Sequence, residues 1–248
     1  MSVAPPTRIA MWSGPRNIST AMMRAWENRA DTNVVDEPFY ACYLTATEIR
    51  HPMQTEILAS QSSDWHEVIE HQLQSPLTDG ATIQYQKHMT HHMVADIDDD
   101  WFATVQHAFL IRHPAEVVAS YSEKRETVNA GDLGFARQQQ LYDAALALGV
   151  QPAVVDAADV LGNPENLLRQ LCQQLGVAFS NDMLRWPAGH RSSDGVWAPH
   201  WYGNVEKSTG FAPHRRKHLT LDHAAQKVVD ECLPYYQALF ANRLRPGT

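Results

Sequence analysis

Trp12-Ser13-Gly14-Pro15-Arg16-Asn17-Ile18-Ser19-Thr20 carries the strongest local signal of how this chain folds. It ends a short apolar run, residues 8–13, which reads as a strand. Gly14-Pro15 reads as the turn that follows it. Residues 17–29 then place Ile18, Met22, Met23 and Trp26 at helical spacing. A strand feeding a helix through a tight turn leaves backbone N–H groups unpaired at the helix start. The positive end of the helix dipole lies at the same place, so the turn is suited to hold an anion. Ser19 and Thr20 add hydroxyl donors, and Arg16 adds a fixed charge with forked donors. The plainer alternative is a strand-to-helix turn capped by Ser and Thr.

Working outward, strands are expected at residues 33–36, 81–86, 106–111 and 152–155. Helices are expected at 64–74, with Asp64 as N-cap, and at 115–124, opened by Pro114. Further helices are expected at 135–148, at 164–175, ended by Gly176, and at 221–243, with Pro234 as a kink or break. Strands thus alternate with helices along most of the chain. That pattern predicts an α/β fold in three layers: a central, mostly parallel sheet with helices on both faces. There is no internal repeat, low-complexity tract or linker, so residues 1–248 are read as a single domain. Residues 188–213, rich in Trp, Gly, His and Pro, read as a long irregular loop of the kind that often carries function.

The bulk numbers are those of an ordinary soluble globular protein: 248 residues, 44% hydrophobic and 19% charged. A net charge of −8 argues against a general nucleic-acid binder, though not against a local basic pocket. Cys42, Cys172 and Cys232 match no zinc or redox spacing, and three sparse cysteines suit a reducing compartment. The N-terminal residues lack the apolar core of a signal peptide. No apolar run approaches the roughly 20 residues needed to cross a bilayer. The expectation is a cytoplasmic protein with no membrane or nucleic-acid partner.

A nucleoside-triphosphate kinase is the obvious rival for such a turn. Its loop requires Gly-x-x-x-x-Gly-Lys-Ser/Thr. Counted from Gly14, those later positions hold Ser19, Thr20 and Ala21, so all three fail. Val34-Val35-Asp36-Glu37 does look like the acidic second motif of such enzymes, which keeps a P-loop small-molecule kinase as the second reading. A catalytically inactive nucleotide-binding regulatory module is the third.

Three segments carry a family resemblance. Pro15-Arg16-Asn17-Ile18-Ser19-Thr20 resembles the 5′-phosphosulfate loop of sulfotransferases that use 3′-phosphoadenosine 5′-phosphosulfate (PAPS). Ile111-Arg112-His113-Pro114-Ala115-Glu116-Val117-Val118-Ala119-Ser120-Tyr121 resembles their 3′-phosphate motif: an arginine at a strand end, Pro two residues later, Ser-Tyr eight residues on. Asp159-Val160-Leu161-Gly162-Asn163-Pro164-Glu165 and the helix after it resemble a third segment of the family. The chain as a whole resembles bacterial stand-alone sulfotransferase-like domains, and nothing in it supports an aminotransferase. It departs from the family pattern at Ile18, where the loop usually has glycine, and at Ala21, where some members have an aromatic that can stack on adenine. The C-terminal Gly-x-x-Gly pattern of the cytosolic enzymes is replaced by Lys207-Ser208-Thr209-Gly210-Phe211.

The resemblance implies a P-loop-like fold, PAPS as donor, and transfer of a sulfuryl group to a hydroxyl or amine of a small acceptor. It implies donor binding by Gly14, Pro15, Arg16, Asn17, Ile18, Ser19 and Thr20 with Arg112 and Ser120, and by Lys207. Arg16 is expected to stabilise charge near the transferring group. Two candidate general bases compete. Glu37 lies where carbohydrate sulfotransferases use a glutamate. His88, in Lys87-His88-Met89, resembles the Lys-x-His segment of the cytosolic enzymes with one residue fewer between Lys and His. Glu37 is preferred. His88, His91 and His92 fall at helical i, i+3, i+4 spacing, but no carboxylate or cysteine completes a metal set, and no metal is expected. Trp197, His200, Trp201 and Tyr202 either wall the acceptor pocket or pack in the core. The basic run Arg215-Arg216-Lys217 is read as a solvated surface. A homodimer is left open.

Overall fold

The computed structural model describes residues 5–78, 80–94, 99–122, 128–214 and 220–247. The run Arg215-Arg216-Lys217 and the last two residues of the predicted helix 115–124 lie outside the described residues. Among the described residues, five strands form one sheet: β1 (Thr7–Ser13), β2 (Thr32–Asp36), β3 (Ile83–Met89), β4 (Gln106–Ile111) and β5 (Ala153–Asp156). Their spatial order is β2-β3-β1-β4-β5, and every pairing is parallel. The principal helices are α1 (Ser19–Glu27), α2 (Tyr40–Thr47), α3 (Pro114–Ser122), α4 (Phe135–Ala147), α5 (Pro164–Gln174) and α6 (His223–Ala241).

Period-two alternation sorts the strand side chains into two cores. Ile9, Met11, Ala108 and Leu110 join one core with Met22, Trp26 and the α5 leucines. Ala10, Trp12, Phe109 and Ile111 join the other with Val118, Tyr142, Cys232 and Leu239. Both faces are therefore covered, as a parallel sheet requires.

The predicted elements match within a few residues. Asp64 caps its helix by accepting from the His66 N–H, and Asp156, Asn163 and Asp222 cap others in the same way. Pro164 opens α5, and Gly176 beyond its end has φ 71°. The helix expected at 64–74 changes to π geometry over Ile69–Leu73. Pro234 sits inside α6 without ending it.

Two expectations are corrected. The third strand was predicted to end at Gln86 but runs on to Met89, so Lys87 and His88 lie within it rather than after it. Polar side chains at Gln84, Gln86, Lys87 and His88 hid a strand that is paired on both sides and buried at every position. For the same reason His88, His91 and His92 do not share a helix face: His88 is in β3, and His91 and His92 are in a 3₁₀ turn, Thr90–His92. The loop 188–213 is mostly irregular, with one short helical turn at Ala198–Trp201.

Candidate active site

Ligands of open parallel sheets bind beyond the carboxyl ends of the strands. Here those ends are Ser13, Asp36, Met89, Ile111 and Asp156. Behind Ser13 the turn is braced from three directions. Gly14 passes so close to the backbone that a Cβ there would sit 2.7 Å from the Leu133 carbonyl oxygen, which accounts for the glycine. Asn17 donates from Nδ2 to the Leu110 carbonyl (3.0 Å), and its Oδ1 accepts from the Ile18 N–H (2.9 Å). Gln138 donates to both the Trp12 and the Leu110 carbonyls, tying the ends of β1 and β4 together. Ile18 adopts φ −88° and ψ 23°, a conformation a branched residue allows, and packs on the core. The left-handed residue of the turn is Arg16, at φ 55°. No side chain caps α1, and Ser19 and Thr20 of its first turn line a cavity.

The second motif meets this turn directly. Arg16 donates from Nε to Ser120 Oγ on α3 (3.0 Å). Arg112, just beyond β4, donates from Nη1 to the Arg16 carbonyl (2.7 Å) and from Nε to Glu116 (2.9 Å). Two segments nearly a hundred residues apart in sequence thus make one basic surface.

Beside it lies a buried charge network. Lys87 Nζ reaches Asp36 Oδ1 (2.8 Å), Glu37 Oε1 (2.5 Å) and the Tyr202 hydroxyl (2.7 Å). Tyr202 donates to Asp36 and accepts from Trp197 Nε1 (3.0 Å), and the Gly195 N–H donates to Asp36 Oδ2 (3.1 Å). Burial opposes the charge on Lys87, but Asp36 and Glu37 outweigh it and its pKa is raised. Two carboxylates share this one cation. Burial first, against the pull of Lys87, and then the charge of Asp36 raise the Glu37 carboxyl above the ordinary carboxylate range. Glu37 holds left-handed backbone at φ 44°, with its N–H on the Lys87 carbonyl and its carbonyl accepting from Gln61 and the Tyr40 N–H. Strained non-glycine backbone of this kind concentrates at functional sites.

A cavity of about 150 Å³ joins the two clusters. Its walls include Pro15, Arg16, Asn17, Ser19 and Thr20 on one side and Glu37, Lys87 and Tyr202 on the other. Of the four residues proposed from the loop 188–213, Trp201 and Tyr202 line it. Trp197 is buried behind them, and His200 is exposed. Tyr40, His51, His91 and His92 also line it and were not assigned to it from sequence. They come from a helix, a loop and a turn with no shared periodicity, so no sequence signal joined them.

Two proposed residues stand apart. His88 faces the other side of the sheet, 1% exposed, stacked on Trp12 with ring centroids 4.4 Å apart and against Phe39. Burial pushes its pKa down to about 3. It does not line the cavity, because neighbouring residues of a strand point to opposite faces. Lys207 lines a separate open groove with Arg185, Trp186 and Phe211. Among the described residues, His190, Asp194 and Glu206 have the spacing of metal ligands. The Asp194 carboxylate is already held by the buried Arg24 at 2.6 Å, which opposes a second cation there.

A sequence profile described as a sulfotransferase domain matches residues 7–243. Two Arabidopsis thaliana relatives, branched-chain-amino-acid aminotransferase-like proteins 1 and 2, are 33% and 32% identical over 96% and 93% of this chain. The chain spans 42% and 41% of their lengths. Among solved structures, the sulfotransferase from Alicyclobacillus acidocaldarius matches with a TM-score of 0.56 at 10% identity, over 98% of both chains. The sulfotransferase domain of the Synechococcus PCC 7002 olefin synthase matches with a TM-score of 0.54 at 16% identity, over 93% of this chain and 96% of that one. These two likenesses establish the α/β fold.

Proposed function

We propose, from the premise that this chain belongs to the sulfotransferase domain family, that it transfers a sulfuryl group from PAPS to a small-molecule acceptor seated in the cavity. One observation carries the reading: the 5′ loop and the 3′-phosphate motif are in contact through Arg16, Ser120 and Arg112, beside a buried carboxylate that faces the same cavity. A nucleotide with phosphates at both its 5′ and 3′ positions matches two such grips; ATP matches one.

In this reading the α1 N-terminus, Ser19 and Thr20 hold the 5′-phosphosulfate, and Arg112 with Ser120 holds the 3′-phosphate. Arg16 lies between them and stabilises the charge that builds up on the leaving phosphate. Glu37, with its raised pKa, accepts the acceptor's proton as the new bond to sulfur forms in line with the breaking one. Lys87 holds Glu37 Oε1, which leaves Oε2 toward the cavity.

Calorimetry with adenosine 3′,5′-bisphosphate and with ATP–magnesium tests this. The bisphosphate is expected to bind, with ATP–magnesium at least tenfold weaker. Arg112→Ala should weaken the bisphosphate by about 10- to 100-fold, the value of a charge-assisted phosphate contact. Preference for ATP–magnesium would replace this reading with the kinase. Tight bisphosphate binding with no turnover on a broad acceptor panel would favour a regulatory module.

A further inference from the structure

The geometry points to His92 as a second catalytic residue that holds the acceptor's nucleophilic oxygen together with Glu37, and hence to a hydroxyl rather than an amine as the group sulfated. This rests on the sulfuryl-transfer reading above and narrows it. Nδ1 of His92 lies 3.9 Å from Oε2 of Glu37, and both residues line the cavity. The His92 side chain is 3% exposed, and its buried Nδ1 has no hydrogen-bond partner. An unpartnered polar atom at that depth needs an explanation. The imidazole is clamped between Tyr40 and Tyr43, with ring centroids at 4.4 and 4.9 Å and interplanar angles of 24° and 25°. The plane of the ring is set by that stack.

A separation of 3.9 Å is too long for a hydrogen bond but suits one atom placed between the two groups. An oxygen at about 2.8 Å from each would see them at about 90°. A hydroxyl has one O–H and two lone pairs. Its O–H donates to Glu37 Oε2, one lone pair accepts from His92 Nδ1–H, and the other remains for sulfur. A neutral amine has one lone pair, and accepting from Nδ1–H would consume the pair needed for attack. In the step itself the hydroxyl oxygen forms the O–S bond. The S–O bond to the 5′-phosphate breaks, with its electron pair leaving on the phosphate, and the hydroxyl proton passes to Glu37 Oε2. His92 keeps its proton throughout. Burial first, and then the positive charge of Lys87 and of neighbouring imidazoles when they are protonated, pull the pKa of the His92 ring down.

The test begins with nitrogen NMR of the full chain, free and with adenosine 3′,5′-bisphosphate. His92 is expected to be neutral with the proton on Nδ1 between pH 6 and 8; a proton on Nε2 alone overturns the proposal. A crystal structure of the bisphosphate complex should show a water within hydrogen-bond distance of both Nδ1 and Oε2, and its absence counts against the bridge. Turnover is then followed as PAPS consumption with 2-phenylethanol, with 2-phenylethylamine and with water alone. His92→Phe keeps the ring stack and loses the N–H. It should lower kcat with the alcohol and with water by about 100-fold, leaving bisphosphate affinity and the KM for PAPS unchanged. His92→Asn, which returns an N–H near Nδ1, should stay within tenfold of the unaltered protein. Equal turnover by a folded His92→Phe variant, or faster turnover of the amine than of the alcohol, sinks the assignment. Loss of the donor reading shows up differently, as failure of the unaltered protein to bind the bisphosphate.

Discussion

Glu37 follows directly on β2, and its left-handed backbone costs about 1–2 kcal/mol relative to a relaxed conformation. Its carboxyl lies against Lys87 and lines the cavity. Its identity as a candidate base was legible in the sequence from Val35-Asp36-Glu37-Pro38. Its environment was not, because Lys87 and Tyr202 come from 50 and 165 residues away. Glu37→Gln should lower turnover by about 10²- to 10⁴-fold, the span of general-base contributions. Activity of the unaltered protein should rise with pH through the raised Glu37 pKa as the carboxylate forms, and the Gln variant should lack that limb. The fold should respond with the opposite sign. A raised carboxyl pKa contributes stability below the ordinary carboxylate value, lost as pH rises through the raised one, so Glu37→Gln should be less pH-sensitive there in chemical denaturation. Near-normal turnover of Glu37→Gln would remove Glu37 as the base. His88 illustrates the converse. The resemblance of Lys87-His88 to the Lys-x-His segment of the cytosolic enzymes suggested a catalytic role, and the strand alternation places His88 on the opposite face.

Among the elements, β1 and the turn to α1 were the most readable, because their apolar run, glycine and hydroxyl residues are all local signals. The end of β3 was the least readable. Gln86, Lys87 and His88 are polar yet buried: Gln86 pairs with Gln84 and His88 with Gln86 along the strand itself, and Lys87 is satisfied by Asp36 of the neighbouring strand and by Glu37 just after it. The turn after β1 is also where a backbone requirement is sharpest. Gly14→Ala should push the turn away from the Leu133 carbonyl. The expected cost is about 1–3 kcal/mol of stability in chemical denaturation, the usual penalty for overpacking, with weaker bisphosphate binding by calorimetry. A variant as stable as the unaltered protein, with unchanged affinity, would show that the helical turn Ala130–Leu133 simply moves aside.

At the scale of the whole molecule, the parallel sheet separates two kinds of chemistry. Its carboxyl edge gathers the charged site, and its α6 face buries two neutral imidazoles. His107 accepts from Trp12 Nε1 at Nδ1 (3.0 Å) and donates from Nε2 to the Phe102 carbonyl (2.8 Å). Burial lowers its pKa to about 4 and that of His88 to about 3. Depressed folded-state values mean stability that is full above the unfolded pKa near 6.5 and is lost as pH falls toward 4 and 3. Each histidine should remove on the order of 2 kcal/mol between pH 6.5 and pH 5. Urea denaturation across that range should show the drop, and His88→Phe should reduce it. A His88→Phe variant that loses as much stability as the unaltered protein between pH 7 and pH 5 would mean that His88 takes up its proton as readily in the folded protein as in the unfolded chain.

The order of strands and helices and the turn after β1 could be written down from the chain, because they rest on interactions between residues close in sequence: periodicity, capping and turn chemistry; the two candidate phosphate-binding segments were named from a family resemblance. The meeting of Arg16 with Ser120 and Arg112, the sharing of Lys87 between Asp36 and Glu37, and the orphaned Nδ1 of His92 beside Oε2 could not. They depend on which strand lies beside which and on which face each side chain takes, and long-range packing alone sets both.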